Sequence, residues 1–281
     1  MTTLVEMVRS GQPIGPEIPI ISCHTHIGVG WNLPVLDGSG EAVLETMNDC
    51  GITISCISSM RSLSADLRGG NEEIAAAVNE QPNRFVGTAV FNPHYPRESQ
   101  RELERYFARP GFGMMKVHPE FHSYAMDGPE YDRAWAFAAE RKIPVLVHSW
   151  GEGKGVDHPS LAANVAARHP EVRLVLGHSG GTPAGVRASI AVAKEHPNIY
   201  LDTATSMAFR GVIEFLVGAV GAGRLLFGTD AIYLADAPQI GRVAASEISE
   251  SEKYQVLGGN LLGLLRAAEV QELPALEAFD V

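Results

Sequence analysis

Several side chains that can bind metal or transfer protons follow short apolar runs of this sequence. In the segment PIISCHTHIGVG, an apolar run ends in His24 and His26 and then opens into glycines. Residues two apart on a strand point to the same side, so the two imidazoles would face together while Cys23 and Thr25 face the opposite way. A divalent ion accepts two imidazole nitrogens at about 2.0–2.1 Å, so the pair predicts a metal site.

Other apolar runs end in side chains of the same chemical types. These are Lys116 (followed by His118), His148, His178, Asp202 and Asp230. Three protein ligands with an open position for water are the catalytic form of a zinc site, and a carboxylate serves there as a ligand or as a base. The fold would have to gather these groups from distant parts of the chain.

Eight apolar runs, most of them rich in β-branched residues, recur at intervals of roughly 25–35 residues, the length of one strand–helix unit. The runs are IPIISC, ITISCI, RFVGTAV, GMMKV, PVLVH, RLVLGH, NIYLDT and RLLFGTD. Amphipathic segments such as GEAVLETMNDC and RESQRELERYFA lie between them and predict helices. Prolines in NEQPNRFVG, ARHPEVRLVLG and KEHPNIYLD would end three helices shortly before a strand.

This alternation predicts a parallel sheet covered by helices, and eight units in 281 residues predict a closed (β/α)8 TIM barrel. An open, doubly wound sheet is the structural alternative. We expect a single domain over residues 1–281, with the barrel over about 18–250 and C-terminal helices over about 251–281.

In such a barrel the active site lies at the carboxyl ends of the strands, where the polar strand ends would converge. The ordered segments CHTH, GMMKVHP, PVLVHS, VLGHSGG, LLFGTD and LGGNLLGLL resemble the amidohydrolase superfamily, in its amidohydrolase-related branch of metal-dependent hydrolases and decarboxylases. The resemblance extends from about residue 20 to residue 266 and implies a distorted TIM barrel. It also implies that the metal is bound by His24, His26, His148 and Asp230, and that His178 lies near the reacting group.

The predicted chemistry follows from charge. A bound divalent ion lowers the pKa of a coordinated water from 15.7 to about 7. Asp230 would accept a proton from that water and pass it to the leaving group, and His178 would polarise the substrate carbonyl or position the water. Asp202 is the rival carboxylate; FGTD matches the eighth strand of the family, and Asp202 would instead bind a neighbouring loop. Lys116 would be a cation that favours an anionic substrate group or, as in binuclear relatives, a carboxylated bridge to a second metal held by His148 and His178.

These residues predict a metal-dependent hydrolase that cleaves a C–N or C–O bond next to a carbonyl of a small molecule. A non-oxidative decarboxylase of a small carboxylic acid, aromatic acids included, is the alternative, since the same branch contains both. A barrel that binds ligands without catalysis is a third hypothesis, and the complete set of metal-type residues argues against it. We expect one zinc ion, although manganese, iron and cobalt accept the same ligands.

Charge and cysteine content limit the classes of binding partner and the cellular compartment that we expect. With 22 basic and 33 acidic residues the formal net charge is −11, which argues against nucleic acid or an anionic membrane as a partner. The N-terminal segment lacks the pattern of a signal peptide, and no apolar stretch is long enough to span a bilayer. Three cysteines without a C-x-x-C pair favour a reducing cytoplasm. By base rate we expect a homodimer.

Other motifs are weaker. GHSGG matches the nucleophile elbow G-x-S-x-G, in which an acid and then a histidine must follow the serine. His196 is the only histidine after Ser179, no aspartate lies between them, and Glu195 is adjacent to His196 and would point elsewhere on a helix, so the order argues against a serine hydrolase. SWGEGKGVDH resembles a phosphate-binding loop but matches no such motif, so we expect a mobile loop at the barrel mouth. Further candidates for the pocket lining are His94, His118 and His122, and Arg61 is a candidate for anchoring a substrate carboxylate.

Overall fold

The computed structural model describes residues 3–11, 14, 19–30, 34–153, 155–207 and 209–279. The strands are Ile21–Ile27 (β1), Ile54–Ser59 (β2), Phe85–Val90 (β3), Phe112–Val117 (β4), Pro144–Val147 (β5), Arg173–Leu176 (β6), Ile199–Asp202 (β7) and Leu225–Leu226 (β8). The α-helices are Leu4–Arg9 (α1), Gly40–Cys50 (α2), Met60–Leu63 (α3), Leu67–Glu80 (α4), Pro96–Phe107 (α5), Pro119–His122 (α6), Asp132–Glu140 (α7), Ala162–Arg168 (α8), Pro183–Glu195 (α9), Val212–Val220 (α10), Asp236–Ala244 (α11), Glu250–Tyr254 (α12) and Asn260–Arg266 (α13). Shorter 3-10 helices are Pro129–Tyr131, Pro159–Leu161, Gly177–Gly180, Ala222–Arg224 and Pro274–Phe279, and Gln255–Gly259 is a π-helix.

The eight strands form one sheet in the order β1 to β8, and every neighbouring pair is parallel. The two ends of this order meet. The Cys23 N–H donates to the Phe227 carbonyl at 2.8 Å, and Thr25 forms a parallel bridge with Ala231 just after β8. The predicted (β/α)8 TIM barrel is therefore confirmed, and the open doubly wound sheet is wrong.

Strand β1 differs from its prediction in two ways. It continues past both histidines, so the imidazoles lie within the strand and not after its end. Its pairing with β2 also shifts between Ser22 and Thr25, as in a β-bulge. The prediction that Cys23 faces away from His24 is wrong for this reason, because Cys23 Sγ lies 3.7 Å from Oδ1 of Asp202, the carboxylate that also binds His24.

Helix α2 illustrates why the predicted helices form where they do. It covers the predicted segment GEAVLETMNDC without change. At its start Ser39 Oγ accepts the Ala42 N–H at 3.1 Å, and at its end Gly51 takes the left-handed conformation with φ 75°. Val43 and Met47, one turn apart, are its buried residues, which gives the helix one apolar face for the core.

Apolar side chains fill two layers. The outer layer lies between the strands and the helices and contains large side chains such as Trp135 and Tyr131. A second cluster gathers residues from strands around the whole sheet, among them Ile54 and Leu146, so it occupies the barrel interior. Helix α13 joins this cluster through Leu261 and closes the amino end of the strands. The carboxyl end is left to polar side chains.

Two further findings concern the described part of the chain. The three cysteines are free thiols. None of the helices described has both the length and the apolar composition needed to cross a membrane.

Candidate metal centre

Three of the predicted metal ligands meet at the carboxyl end of the barrel. The Nε2 atoms of His24 and His26 are 3.2 Å apart. Oδ1 of Asp230, which follows β8, lies 3.4 Å from His24 Nε2 and 3.3 Å from His26 Nε2. Both imidazoles are buried, and the Asp230 side chain is 17% exposed. Two nitrogens and one carboxylate oxygen at this spacing are a donor set for one divalent ion.

Asp202, at the end of β7, connects two residues of the site. Its Oδ2 accepts hydrogen bonds from His24 Nδ1–H at 2.8 Å and from the His178 backbone N–H at 3.0 Å, and its Oδ1 accepts the Ala204 N–H at 2.8 Å. The bonds to the loop agree with the prediction, whereas the bond to His24 was missed. Because a carboxylate only accepts, His24 carries its proton on Nδ1 and presents the Nε2 lone pair to the site.

Two further imidazoles have one ring nitrogen held by a hydrogen-bond partner, although only the carbonyl partner of His178 decides where the proton lies. His26 Nδ1 lies 3.0 Å from Ser58 Oγ. His178 Nδ1–H donates to the Ala204 carbonyl at 3.1 Å, which leaves its Nε2 unprotonated. His178 sits in the 3-10 turn Gly177–Gly180 with a φ of 59°, a left-handed conformation that turns its side chain toward the barrel mouth.

His148, the fourth predicted ligand, lies beside this group. It follows β5, and its Nδ1 is 3.3 Å from His178 Nε2. Its Nε2 is 3.2 Å from Oε2 of Glu120 and 3.6 Å from Oδ2 of Asp157. Three groups of described residues have donor atoms within 4.8 Å of one another, namely His24 with His26 and Asp230, His24 with His178 and Asp202, and His118 with Glu120 and His148. His148 is therefore not in the group of the β1 pair and Asp230. The structure thus brings three of the four predicted ligands together and places the fourth against His178.

Lys116 lies at the centre of the site. Its side chain is fully buried, and its Nζ is 2.9 Å from His24 Nε2. Burial lowers the pKa of this lysine to about 8, against the opposing charges of Asp230 and Asp202. The ammonium therefore donates to the same lone pair that the predicted ion would use.

Electrostatics set the protonation of the donors. Burial, followed by the charge of Lys116, holds the pKa of His24 well below its usual range, and burial also lowers the pKa of the other three imidazoles. Burial would raise the pKa of Asp230, but His24 and His26 outweigh it and the pKa is lowered. Unprotonated imidazoles beside an ionised carboxylate are the forms that bind a metal ion, so the donor set fits a divalent cation.

A cavity of about 100 Å³ opens above these donors. It is lined by His24, His26, Met60, His118, Glu120, Phe121, His148, His178, Asp230 and Tyr233. The predicted place of His118 in the lining is confirmed. Met60, Glu120, Phe121 and Tyr233 were missed by sequence reasoning. The first three follow a strand within four residues, which is their one available signal, whereas Tyr233 lies further along the segment after β8.

The other weak candidates have partners elsewhere. His94 Nε2–H donates to the His122 carbonyl at 2.5 Å, and His122 Nδ1 lies 2.7 Å from the Tyr131 hydroxyl. Arg61 pairs with Asp66 at 2.5 Å on the surface. The expectation that His94 and His122 line the pocket is therefore wrong, and Arg61, the candidate for anchoring a substrate carboxylate, also lies outside the cavity lining.

Comparison with known proteins gives the family. The family model described as Amidohydrolase (Amidohydro_2) matches residues 57–266. Decarboxylase orsB of Emericella nidulans is 27% identical over 177 residues, which cover 50% of this chain and 54% of that protein. Gamma-resorcylate decarboxylase of a Polaromonas species is 22% identical over 247 residues, which cover 71% of this chain and 76% of that protein. The chain thus spans about half the length of the first of these relatives.

Solved structures share the fold at low identity. The 5-carboxyvanillate decarboxylase of Novosphingobium aromaticivorans, complexed with manganese and 4-hydroxy-3-methoxy-5-nitrobenzoic acid, has a TM-score of 0.73 at 15% identity, covering 91% of this chain and 98% of that one. A 2,6-dihydroxybenzoate decarboxylase complexed with 2,6-dihydroxybenzoate has a TM-score of 0.67 at 18% identity, covering 91% and 99%. At this identity the solved structures show only that the barrel fold is shared. The family model is the evidence for the family, because it matches most of the sequence. This chain belongs to the amidohydrolase family.

Proposed function

We propose that this protein is a metal-dependent, non-oxidative decarboxylase of a small aromatic carboxylic acid. The observation that carries the proposal is the cluster of His24, His26 and Asp230 at the floor of a small cavity whose wall includes Phe121 and Tyr233. The donors suit a divalent ion, and the aromatic side chains suit a planar ring. Relatives named as decarboxylases favour this activity over hydrolysis, the leading prediction from the sequence.

The proposed ion is held by His24 Nε2, His26 Nε2 and Asp230 Oδ1, with His148 as the fourth ligand. When bound, it supplies Lewis-acid stabilisation of the negative charge that develops on the substrate. Imidazole-rich donor sets suit zinc, and manganese accompanies one of the similar structures, so both ions belong in the test. We propose a single ion, with Lys116 acting as an ammonium cation whose contact with His24 Nε2 the ion would replace.

Loss of CO2 breaks the bond between the ring carbon and the carboxylate carbon and leaves an electron pair on the ring carbon, which must then take up a proton. Asp230 is ionised at rest, so we propose that its carboxylate accepts a proton from a substrate hydroxyl and delivers it to that carbon. His178 Nε2 accepts a hydrogen bond that orients the substrate. The Lys116 ammonium offsets substrate negative charge.

Hydrolysis of a C–N or C–O bond is the second candidate. It is favoured by the same ionised carboxylate, because Asp230 can accept a proton from water as readily as from a hydroxyl group. The two activities give different products and can be separated in one assay. The third hypothesis, a barrel that only binds ligands, is disfavoured by the gathered donor set.

The assay uses the full chain loaded with zinc or manganese and a panel of hydroxylated benzoic acids, beside the corresponding amides and lactones. We expect release of CO2 and, in D2O, incorporation of one deuterium at the ring carbon. Release of an amine or a ring-opened acid with no CO2 from any substrate would reverse the assignment in favour of hydrolysis.

The role of Asp230 is tested with Asp230→Asn, which cannot carry the proton. Turnover should fall by about 10²- to 10⁴-fold while the circular dichroism spectrum is retained. Asp236→Asn, which changes a buried carboxylate that does not line the cavity, is the matched control. Near wild-type turnover in Asp230→Asn would exclude Asp230 as the proton carrier.

A further inference from the structure

Glu120 lies at the cavity mouth and plays no part in the chemistry proposed above. It belongs to the short helix α6, directly after β4, and its side chain is 61% exposed. Although much of this side chain is in solvent, Oε2 lies 3.2 Å from Nε2 of His148. The other ring nitrogen of His148 faces His178 at 3.3 Å. His148 thus has a carboxylate on one side and the site on the other.

This arrangement fixes the tautomer of His148. A neutral imidazole carries one proton, and two acceptors compete for it, because Glu120 Oε2 faces Nε2 and the unprotonated His178 Nε2 faces Nδ1. The ionised carboxylate is the stronger acceptor, so the proton lies on Nε2 and the lone pair of Nδ1 faces the site. Stacking of the His148 ring on His118, with centroids 4.0 Å apart and planes at 11°, sets the plane of the ring. Stacking alone does not decide which nitrogen is protonated. The Glu120 carboxylate does.

We propose that Glu120 is a positioning residue that holds His148 in the Nε2–H tautomer, so that Nδ1 is available to the metal ion. The inference rests on the proposed metal centre, in which His148 is the fourth ligand. Carboxylates that bind the second nitrogen of a metal-bound histidine fix its tautomer and raise its basicity, and their loss typically lowers metal affinity by about 10- to 100-fold. Asp202 has the same relation to His24.

Two alternatives to a positioning role of Glu120 are less consistent with the geometry. His118, Glu120 and His148 have donor atoms within 4.8 Å of one another and could suggest a separate metal site. The two rings are nearly parallel and stacked, however, so their lone pairs lie in separate planes and cannot both point at one ion. Asp157 is 3.6 Å from His148 Nε2, beyond hydrogen-bond distance, and does not replace Glu120.

The experiment compares three variants with the wild type in the full chain. Glu120→Leu removes the acceptor, Glu120→Gln keeps an acceptor oxygen without the charge, and Asp157→Asn removes a nearby carboxylate that makes no hydrogen bond to His148. Zinc affinity is measured by competition with a chelator at fixed pH. The tautomer of His148 is read from side-chain nitrogen-15 shifts of histidine-labelled, zinc-free protein, assigned with His148→Gln.

We expect Glu120→Leu to lower zinc affinity by about tenfold or more and to populate the Nδ1–H tautomer. Asp157→Asn should remain close to the wild type, and Glu120→Gln should lie between the wild type and Glu120→Leu, because its amide oxygen still accepts the Nε2 proton but carries no charge. Equal losses in all three variants would show a long-range charge effect and overturn the inference, as would an unchanged tautomer in Glu120→Leu. His148→Gln distinguishes a failure of this inference from a failure of the proposed metal centre. If His148→Gln weakens zinc binding while Glu120→Leu does not, His148 is a ligand and the positioning role of Glu120 is wrong. If His148→Gln binds zinc as the wild type does, His148 is not a ligand, and both the proposed four-ligand centre and the role of Glu120 are wrong.

Discussion

At the scale of single residues, function depends on which nitrogen of each imidazole carries the proton. The sequence shows that His24 and His26 share a strand and that Asp230 follows another, and this was enough to predict three donors that meet. It does not show that Asp202 binds His24, because that hydrogen bond joins residues 178 positions apart in the chain. Glu120 was missed for the same reason, since its contact with His148 depends on the path of a four-residue helix.

His122 gives a prediction about pH. Burial, and then the nearby charge of His94, lowers the pKa of His122 to about 4, below the value of about 6.5 for an exposed histidine. The folded state therefore favours neutral His122, so its contribution to stability is complete above about pH 6.5 and is lost as the pH falls toward 4. The loss is of the order of 3 kcal/mol.

The measurement is urea unfolding of the wild type and of His122→Gln at pH 7 and pH 4.5. The variant loses the contact with Tyr131 and should be less stable at pH 7. Its stability should nevertheless fall less than that of the wild type between the two pH values. A parallel fall in both proteins would show that His122 does not titrate in this way.

At the scale of elements, the site depends on loops that are packed backbone to backbone. Gly151, in the loop after His148, donates its N–H to the carbonyl of Gly180 in the turn that carries His178 at 2.8 Å. Gly185 at the start of α9 closes over both, with no room for a side chain. Helix α9 thereby presses together the two loops that bring His148 and His178 into contact.

Gly185→Ala tests this packing. Its Cβ would overlap the Gly180 carbonyl and lie 2.9 Å from the Gly151 Cα, so we expect destabilisation of about 1–3 kcal/mol and weaker zinc binding. Gly218→Ala, in the interior of α10 with nothing within 4 Å of its Cβ, is the matched control and should raise stability by up to about 1 kcal/mol. Urea unfolding should show opposite signs. A gain in both variants would mean that the loops are not tightly packed.

The elements themselves were largely predictable because each run carries its own signals. Helix α2 matches its prediction since a capping serine, two buried positions one turn apart and a terminal glycine agree. The predicted strand β1 was too short because His24 and His26 are polar residues and were placed after its end. In the barrel they are as buried as their apolar neighbours. Strand β8 is only two residues long because the chain after Leu226 leaves the ladder to carry Asp230 over the mouth.

At the scale of the whole molecule, the proposed ion connects the first strand to the last. His24 and His26 belong to β1 and Asp230 follows β8, and the backbone also joins there, because the Asp230 N–H donates to the His24 carbonyl at 2.8 Å. A ligand that binds only the folded state adds stability, about 2.7 kcal/mol at a concentration of 100 times its dissociation constant.

Metal removal should therefore lower thermal stability. We expect excess zinc to raise the melting temperature of chelator-treated protein by several degrees, since 1 kcal/mol corresponds to about 2–4 °C in a chain of this size. The double variant His24→Ala/His26→Ala is the control, and its melting temperature should not respond to zinc. An equal zinc response in the double variant would place the bound ion elsewhere.

The order of the residues along the chain also places the donors of the proposed metal centre in two different halves of the sequence. His24, His26 and His148 precede the loop around Gly153, and His178 and Asp230 follow it. If the polypeptide were cut at this loop and the two fragments were produced separately, neither fragment would contain all the ligands of the proposed ion. Zinc uptake on mixing would then report reassociation of the two parts of the proposed metal centre.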